Sequence, residues 1–189
     1  MPTFETTLRD VLISWLNVGP FRDDDDIARE QTRFAATLSL DDLPALVEAS
    51  LWLVRDGDTS APGVLYEVFE RLIPHHRDAL TDELLRRLEG DSLEEEGDSL
   101  EDDALITVLE LLGTLGSPRA APTLFRLSGD GGLPVAARVS AVDALGELDS
   151  AEADHWLLVL RSLGRHPRDV QRAIERAIIN RRAKQASGR

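Results

Sequence analysis

The chain has 189 residues, no cysteine, and 35 acidic against 21 basic side chains, for a formal net charge of -14 at pH 7. Disulfides and thiolate metal sites are thereby excluded, and an apolar fraction of 42% argues for a packed core over wholesale disorder. The N-terminus carries no apolar signal core, and no apolar run nears the ~18 residues that span a bilayer, so the expected location is the cytoplasm with no membrane contact.

Taken in chain order, helices are expected over 4–18, 24–38 and 41–55, the N-terminal third. Four aspartates at 23–26 stand just before Ile27 and Ala28, where acidic side chains suit the free N–H groups of a helix start. His75 and His76 are adjacent, so on a helix or turn they diverge and do not share one ion. The stretch 90–103 is dominated by carboxylates, among them Glu94, Glu95, Glu96 and Asp98. It lacks the twelve-residue calcium-loop pattern and reads as a solvated insertion, with a docking strip for a basic partner as its functional alternative. Within it Gly90-Asp91-Ser92-Leu93 recurs as Gly97-Asp98-Ser99-Leu100. The tetrapeptide spells the signature of GDSL-type esterases, whose serine is the nucleophile. A nucleophile needs a rigid turn with a base and an oxyanion hole around it, and here no strand precedes the serine, so we read a duplication in a tolerant loop.

From residue 103 the helical punctuation is clear. Ala104, Leu105, Val108, Leu111 and Leu112 recur at three- and four-residue steps. Gly116 follows in the C-cap region, and Ser117-Pro118 supplies an N-cap with proline at the first helical position. Ala121, Leu124, Phe125 and Leu127 make the partner helix, and Pro134 opens the next. No strand is expected. His155 falls in a helix and His166 in a turn before Pro167, and no metal-ligand spacing joins any of the four histidines. Trp15, Trp52 and Trp156, with Phe21, Phe34, Phe69 and Phe125, are spread along the units as core fillers. The last helix sets Val170, Ala173, Ile174, Ala177 and Ile178 on one stripe and Arg168, Arg172 and Arg176 on the opposite face.

The second half also repeats. Residues 112–127 placed over 145–160 match at seven of sixteen positions, an offset of 33: Leu112, Gly113, Leu115, Ser117, Ala120, Leu124 and Leu127 each find an identical counterpart. A further step of 33 carries Ala144-Leu145 onto Ala177-Ile178. Upstream the offset is 40, with Val68 over Val108 and Leu72 over Leu112, and the seven extra residues are the duplicated Gly-Asp-Ser-Leu segment. Each unit reads as helix, turn, helix.

Residues 104–127 and 137–160, with their helix-ending Leu-Gly-x-Leu, resemble the HEAT-repeat family in the short bacterial form also seen in phycobilisome-lyase-type repeats. The resemblance implies an all-α, right-handed α-solenoid of stacked antiparallel hairpins with about 9-10 helices. One continuous domain is expected, with 1–60 as N-terminal helices or degenerate repeats and 61–189 as repeats bearing an acidic insertion at 90–102 and a C-terminal capping helix.

Charge then separates function classes. Residues 161–189 hold nine basic and two acidic side chains, and residues 1–160 hold twelve basic and 33 acidic. An acidic surface repels nucleic acid and attracts basic partners. The leading expectation is a non-catalytic binding scaffold for a basic protein, an adaptor or an inhibitor of the immunity type, with no cofactor and no metal. Its candidate partner-binding residues are Glu94, Glu95, Glu96, Asp98, Arg168, Arg172 and Arg176. Three alternatives stand beside it. The lyase-type resemblance implies bilin chemistry. The terminal arginines allow nucleic-acid binding, as in HEAT-like glycosylases, or self-association of the basic end with the acidic remainder. The acidity alone would also suit a high-salt cytoplasm.

Overall fold

The computed structural model describes residues 4–16, 24–55, 61–90, 102–148 and 150–187. All regular structure among them is helical: nine α-helices and two short 3-10 turns, with no strand. The chain forms two compact units, residues 1–84 and 85–189. No described helix is long and apolar enough to cross a membrane.

The first unit holds α1 (Phe4–Leu16), α2 (Asp24–Ala35), a 3-10 turn (Leu40–Asp42), α3 (Leu43–Arg55) and most of α4 (Ala61–Gly90). Helices α1 and α3 pack together. Leu8, Leu12 and Trp15 recur at four- and three-residue steps and are buried, as are Leu43, Leu46, Val47, Leu51 and Leu53 of α3. Trp15 meets Phe34 of α2 edge to face, with centroids 5.2 Å apart. The Arg9 guanidinium lies 4.6 Å above the Trp52 ring, so that tryptophan is half-buried rather than a core residue. Phe21 lies outside the described residues.

The start of α3 has a local electrostatic device. The Asp42 carboxylate accepts from the Ser39 hydroxyl at 2.7 Å and from the Ser39 N–H at 2.8 Å. The hydroxyl bond first, then the backbone bond, hold the Asp42 carboxyl below its ordinary value. Ser39→Ala removes the first cause, so Asp42 should titrate at a higher pH in that variant. Carboxyl-carbon NMR across the acid range reads this directly, and an unmoved midpoint would refute it.

Helix α4 departs from the expected hairpin. At an offset of 40, residue 76 corresponds to Gly116, where α5 turns, yet α4 runs through this point and contains Pro74. The reason is local. Gly116 ends α5 with φ at 63°, a conformation that costs a glycine little. Its counterpart is His76, which a left-handed break would strain, and the helix continues instead. Pro74 lacks an N–H, so the Glu70 carbonyl has no partner one turn on. The division between the two units falls inside this helix.

The second unit holds the end of α4, then α5 (Asp102–Leu115), a 3-10 turn (Pro118–Ala120), α6 (Ala121–Gly129), α7 (Val135–Glu147), α8 (Ala151–Leu163) and α9 (Arg168–Ser187). Helix α7 packs between α5 and α9, and α8 packs against α6, α7 and α9. The core residues of the 33-residue alignment are buried in register: Leu112 with Leu145, Leu115 with Leu148, Ala120 with Ala153, Leu124 with Leu157.

Two glycines let the helices approach. A Cβ added to Gly113 would lie 2.9 Å from the Cα of Ala144, and one added to Gly146 would lie 2.9 Å from the Cβ of Ala177. Both contacts are shorter than packed carbon atoms tolerate. The pairs 113/144 and 146/177 are themselves separated by 33, so the sequence period is also a period of helix contact.

Candidate functional site

The expected partner-binding residues divide into two groups. Glu94, Glu95, Glu96 and Asp98 lie outside the described residues, as do both copies of the Gly-Asp-Ser-Leu serine. Arg168, Arg172 and Arg176 all stand on the exposed face of α9. Its other face is the apolar stripe read from the sequence: Val170, Ala173, Ile174, Ala177 and Ile178 are buried.

The arginines on the exposed face are not equivalent. Arg176 donates through one terminal nitrogen to both carboxylate oxygens of Asp143 on α7, at 2.8 and 2.6 Å. That hydrogen bond, and then the charge of Asp143, hold the Arg176 guanidinium above its ordinary value. Both partners are about half exposed, so the pair adds little to stability, about 0–1 kcal/mol. Arg172 makes a longer exposed contact to Asp169, one turn away at 3.4 Å. Arg168, Arg172 and Arg176 line an open hollow of about 580 Å³ on the outer face of α9 with Gln171, Glu175, Ile179 and Asn180. Ile179 is 62% exposed there, an apolar side chain among three arginines and Glu175.

Two further arginines, Arg138 and Arg181, belong to the interior, and through Arg181 the basic terminal segment is not wholly a solvated face. Arg181 is buried. Its Nε donates to Asp154, one terminal nitrogen donates to the carbonyls of Leu148 and, at 3.3 Å, Gly146, and the other to the Ser150 carbonyl at 2.8 Å. These carbonyls belong to the end of α7 and the turn into α8. Helix α5 ends on a left-handed Gly116, but the residue 33 positions later is Asp149. The last carbonyls of α7 accept from a cation of α9, with the Ser150 N–H adding a second donor at Leu148 at 3.0 Å, and the cation also suits the negative end of the helix dipole. Lys184 with Glu147, and Gln185 with Asp154 at 2.9 Å, extend the same seam.

Arg138 repeats the device one turn earlier in the unit. Buried in α7, it donates from Nε to the Ser128 carbonyl at 3.1 Å, in the last turn of α6. A terminal nitrogen lies 3.2 Å from Nδ1 of His166, whose Nε2 lies 3.1 Å from the Leu160 carbonyl. These contacts fit the tautomer protonated on Nε2, accepting from Arg138 and donating to Leu160. His166 is thus an internal connector, while His155 is exposed beside Trp156, with ring centroids 5.2 Å apart.

Sequence reasoning could not have found the burial of Arg138 or Arg181, because an isolated arginine at helical spacing reads as solvent-facing. The significance of Ile179 was within reach. It stands 33 residues beyond Gly146 and 66 beyond Gly113, the two close-contact glycines.

Comparison with protein-family models, with curated proteins and with solved structures yields no match to this chain.

Proposed function

We propose that this chain is a non-catalytic protein-binding scaffold, a right-handed α-solenoid of HEAT-like hairpins whose acidic surface engages a basic protein partner. The observation that carries the partner's chemistry is the carboxylate excess. Residues 1–84 alone hold 17 acidic and seven basic side chains. Such an excess costs stability through self-repulsion, and a cationic partner relieves it on binding while the field speeds encounter. The repeat architecture draws its support from the two glycine contacts spaced by 33 residues. A stack of hairpins offers a long, rigid surface, because each hairpin buries its apolar face only against its neighbours. An inhibitor that masks a cationic protein and an adaptor within a larger assembly are two forms of this reading.

The test is capture from lysate of the source organism on immobilised full-length chain, with elution by a salt gradient. The expected result is one stoichiometric basic protein that releases as salt rises. Replacing Glu94, Glu95, Glu96 and Asp98 by their amides should lower the salt concentration at release, since rim charges act mainly through the long-range field. A partner that is acidic, or one held equally at low and high salt, would overturn the proposal.

A further inference from the structure

The contact period of 33 residues identifies positions in the second unit that no described helix covers. Gly146 of α7 is covered by Ala177 of α9, and its counterpart one period on is Ile179. Phe125 of α6 is covered by Trp156 of α8, with rings stacked at 4.2 Å, and its counterpart one period on is Leu158. Ile179 and Leu158 therefore occupy the positions at which each earlier step receives the next helix. Both are large and apolar, and they stand 62% and 43% exposed.

This end is not built to receive another step of the same kind. The earlier steps place glycine where helices meet, and even one methyl group there would fall 2.9 Å from the facing helix. Isoleucine adds four carbons at that position, so an occupant must stand further off and offer a hollow or a shorter surface. The surroundings define its charge. Arg161 and Arg165 from α8 and the turn after it, and Arg168, Arg172 and Arg182 from α9, are all exposed, and they outnumber the exposed Asp169 and Glu175 of the same helix. Residues 161–189 hold nine basic and two acidic side chains against twelve basic and 33 acidic on residues 1–160, and an excess of each sign remains after the pairs Arg176–Asp143, Arg181–Asp154 and Lys184–Glu147 are set aside.

We propose that the exposed face of α9, centred on Ile179, docks on the acidic surface of a second copy of this chain. Charge complementarity selects that occupant and also the geometry. Two copies joined by the same end would set one cationic face against another, so a two-fold dimer through this face is disfavoured. The pairing is head to tail, a heterologous contact that continues from copy to copy unless its rotation closes a ring. An apolar centre within a charged rim gives attraction that is steered by charge and held by burial.

The test uses the purified full chain with no other protein present, so its failure leaves the scaffold reading standing. Sedimentation velocity is run over a range of protein concentrations at about 0.01 M and about 1 M salt, where the screening length falls from ~30 Å to ~3 Å. The expected result at low salt is a weight-average mass that climbs with concentration beyond 20.8 kDa, and at high salt a return to that monomer mass. Ile179→Asp should weaken association at least tenfold, as should Arg172→Glu. Both side chains are exposed, and unchanged circular dichroism verifies the fold of each variant. A monomer at every concentration in low salt would overturn the proposal, and so would a discrete dimer that survives high salt. Assembly unaltered by both substitutions would place the contact elsewhere and overturn it equally.

Discussion

Arg181→Ala should destabilise the second unit by about 3 kcal/mol, more than any exposed arginine of α9 when treated in the same way. The estimate rests on what the side chain leaves behind. Breaking a fully buried ion pair costs about 3–5 kcal/mol, but the Asp154 side chain is 35% exposed, so water recovers part of that partner. The carbonyls of Gly146, Leu148 and Ser150 lose a charged donor as well, and Gly146 and Leu148 are buried. For a chain of this size, such a loss lowers the thermal midpoint by about 6–12 °C. Arg181→Lys keeps the charge without the planar fork and should fall between the wild type and alanine.

The pH dependence of that difference follows from the sign of the Asp154 shift. The hydrogen bond from Arg181 is the largest cause holding the Asp154 carboxyl below its ordinary value, against the opposing effect of burial. A carboxyl depressed in the folded state contributes stability above its unfolded value, about 3.9, and loses it as pH falls through the folded value. The gap between wild type and Arg181→Ala should therefore be full at neutral pH and narrow below about pH 4. Denaturant midpoints at pH 7 and pH 3, followed by far-ultraviolet circular dichroism, measure it. A gap below about 1 kcal/mol at pH 7 would mean that the Ser150 and Asp154 N–H groups, with water, suffice for those carbonyls.

The contrast between Arg181 and Arg176 shows where sequence reading works and where it stops. Arg168, Arg172 and Arg176 were legible as one exposed face because a four-residue spacing on an amphipathic helix leaves them opposite the stripe of Val170, Ala173, Ile174 and Ala177. Arg181 lies on the same helix, but its burial is decided by carbonyl partners more than thirty residues earlier, and no local pattern carries that information. The helix ends behaved likewise. Gly116 and the Pro134 start were readable, since φ above zero and a missing N–H are properties of the residues themselves. The continuity of α4 was not. Repeat alignment placed a turn near residue 76, and only the presence of histidine in place of glycine argued against it. A repeat conserves its core positions more tightly than its breaks, because a core residue must match a neighbouring helix and a break need only exist. The acidic candidates Glu94, Glu95, Glu96 and Asp98 offer no such comparison, as they lie outside the described residues.

Gly113 and Gly146 should respond differently to the same pair of substitutions, although they are equivalent in the repeat. Each Gly→Ala change gains about 1 kcal/mol of helix propensity and loses about 1–3 kcal/mol to overpacking. At Gly113 the obstacle is the Ala144 Cα at 2.9 Å, which moves only if the two helices separate, so the loss belongs at the upper end and the net cost is about 1–2 kcal/mol. At Gly146 the obstacle is the Ala177 Cβ at 2.9 Å, while the Ala177 Cα stands at an ordinary 3.5 Å. Ala177→Gly removes that methyl group, so Gly146→Ala with Ala177→Gly exchanges one methyl across the interface at nearly constant volume. The double variant should recover about 1–2 kcal/mol relative to the sum of its singles. Gly113→Ala with Ala144→Gly should recover far less, because the backbone carbon remains in place. Urea midpoints of the six variants give both coupling energies. A strong coupling at 146/177 with a weak one at 113/144 would mean that backbone contact fixes the first helix step and side-chain contact the second. The close approach would then account for glycine at 113 and 146, and Ile179 would mark the position at which that approach ends. Equal couplings would mean that the helices shift freely to admit a methyl group, and the steric argument for Ile179 as the end of the series would lose its basis.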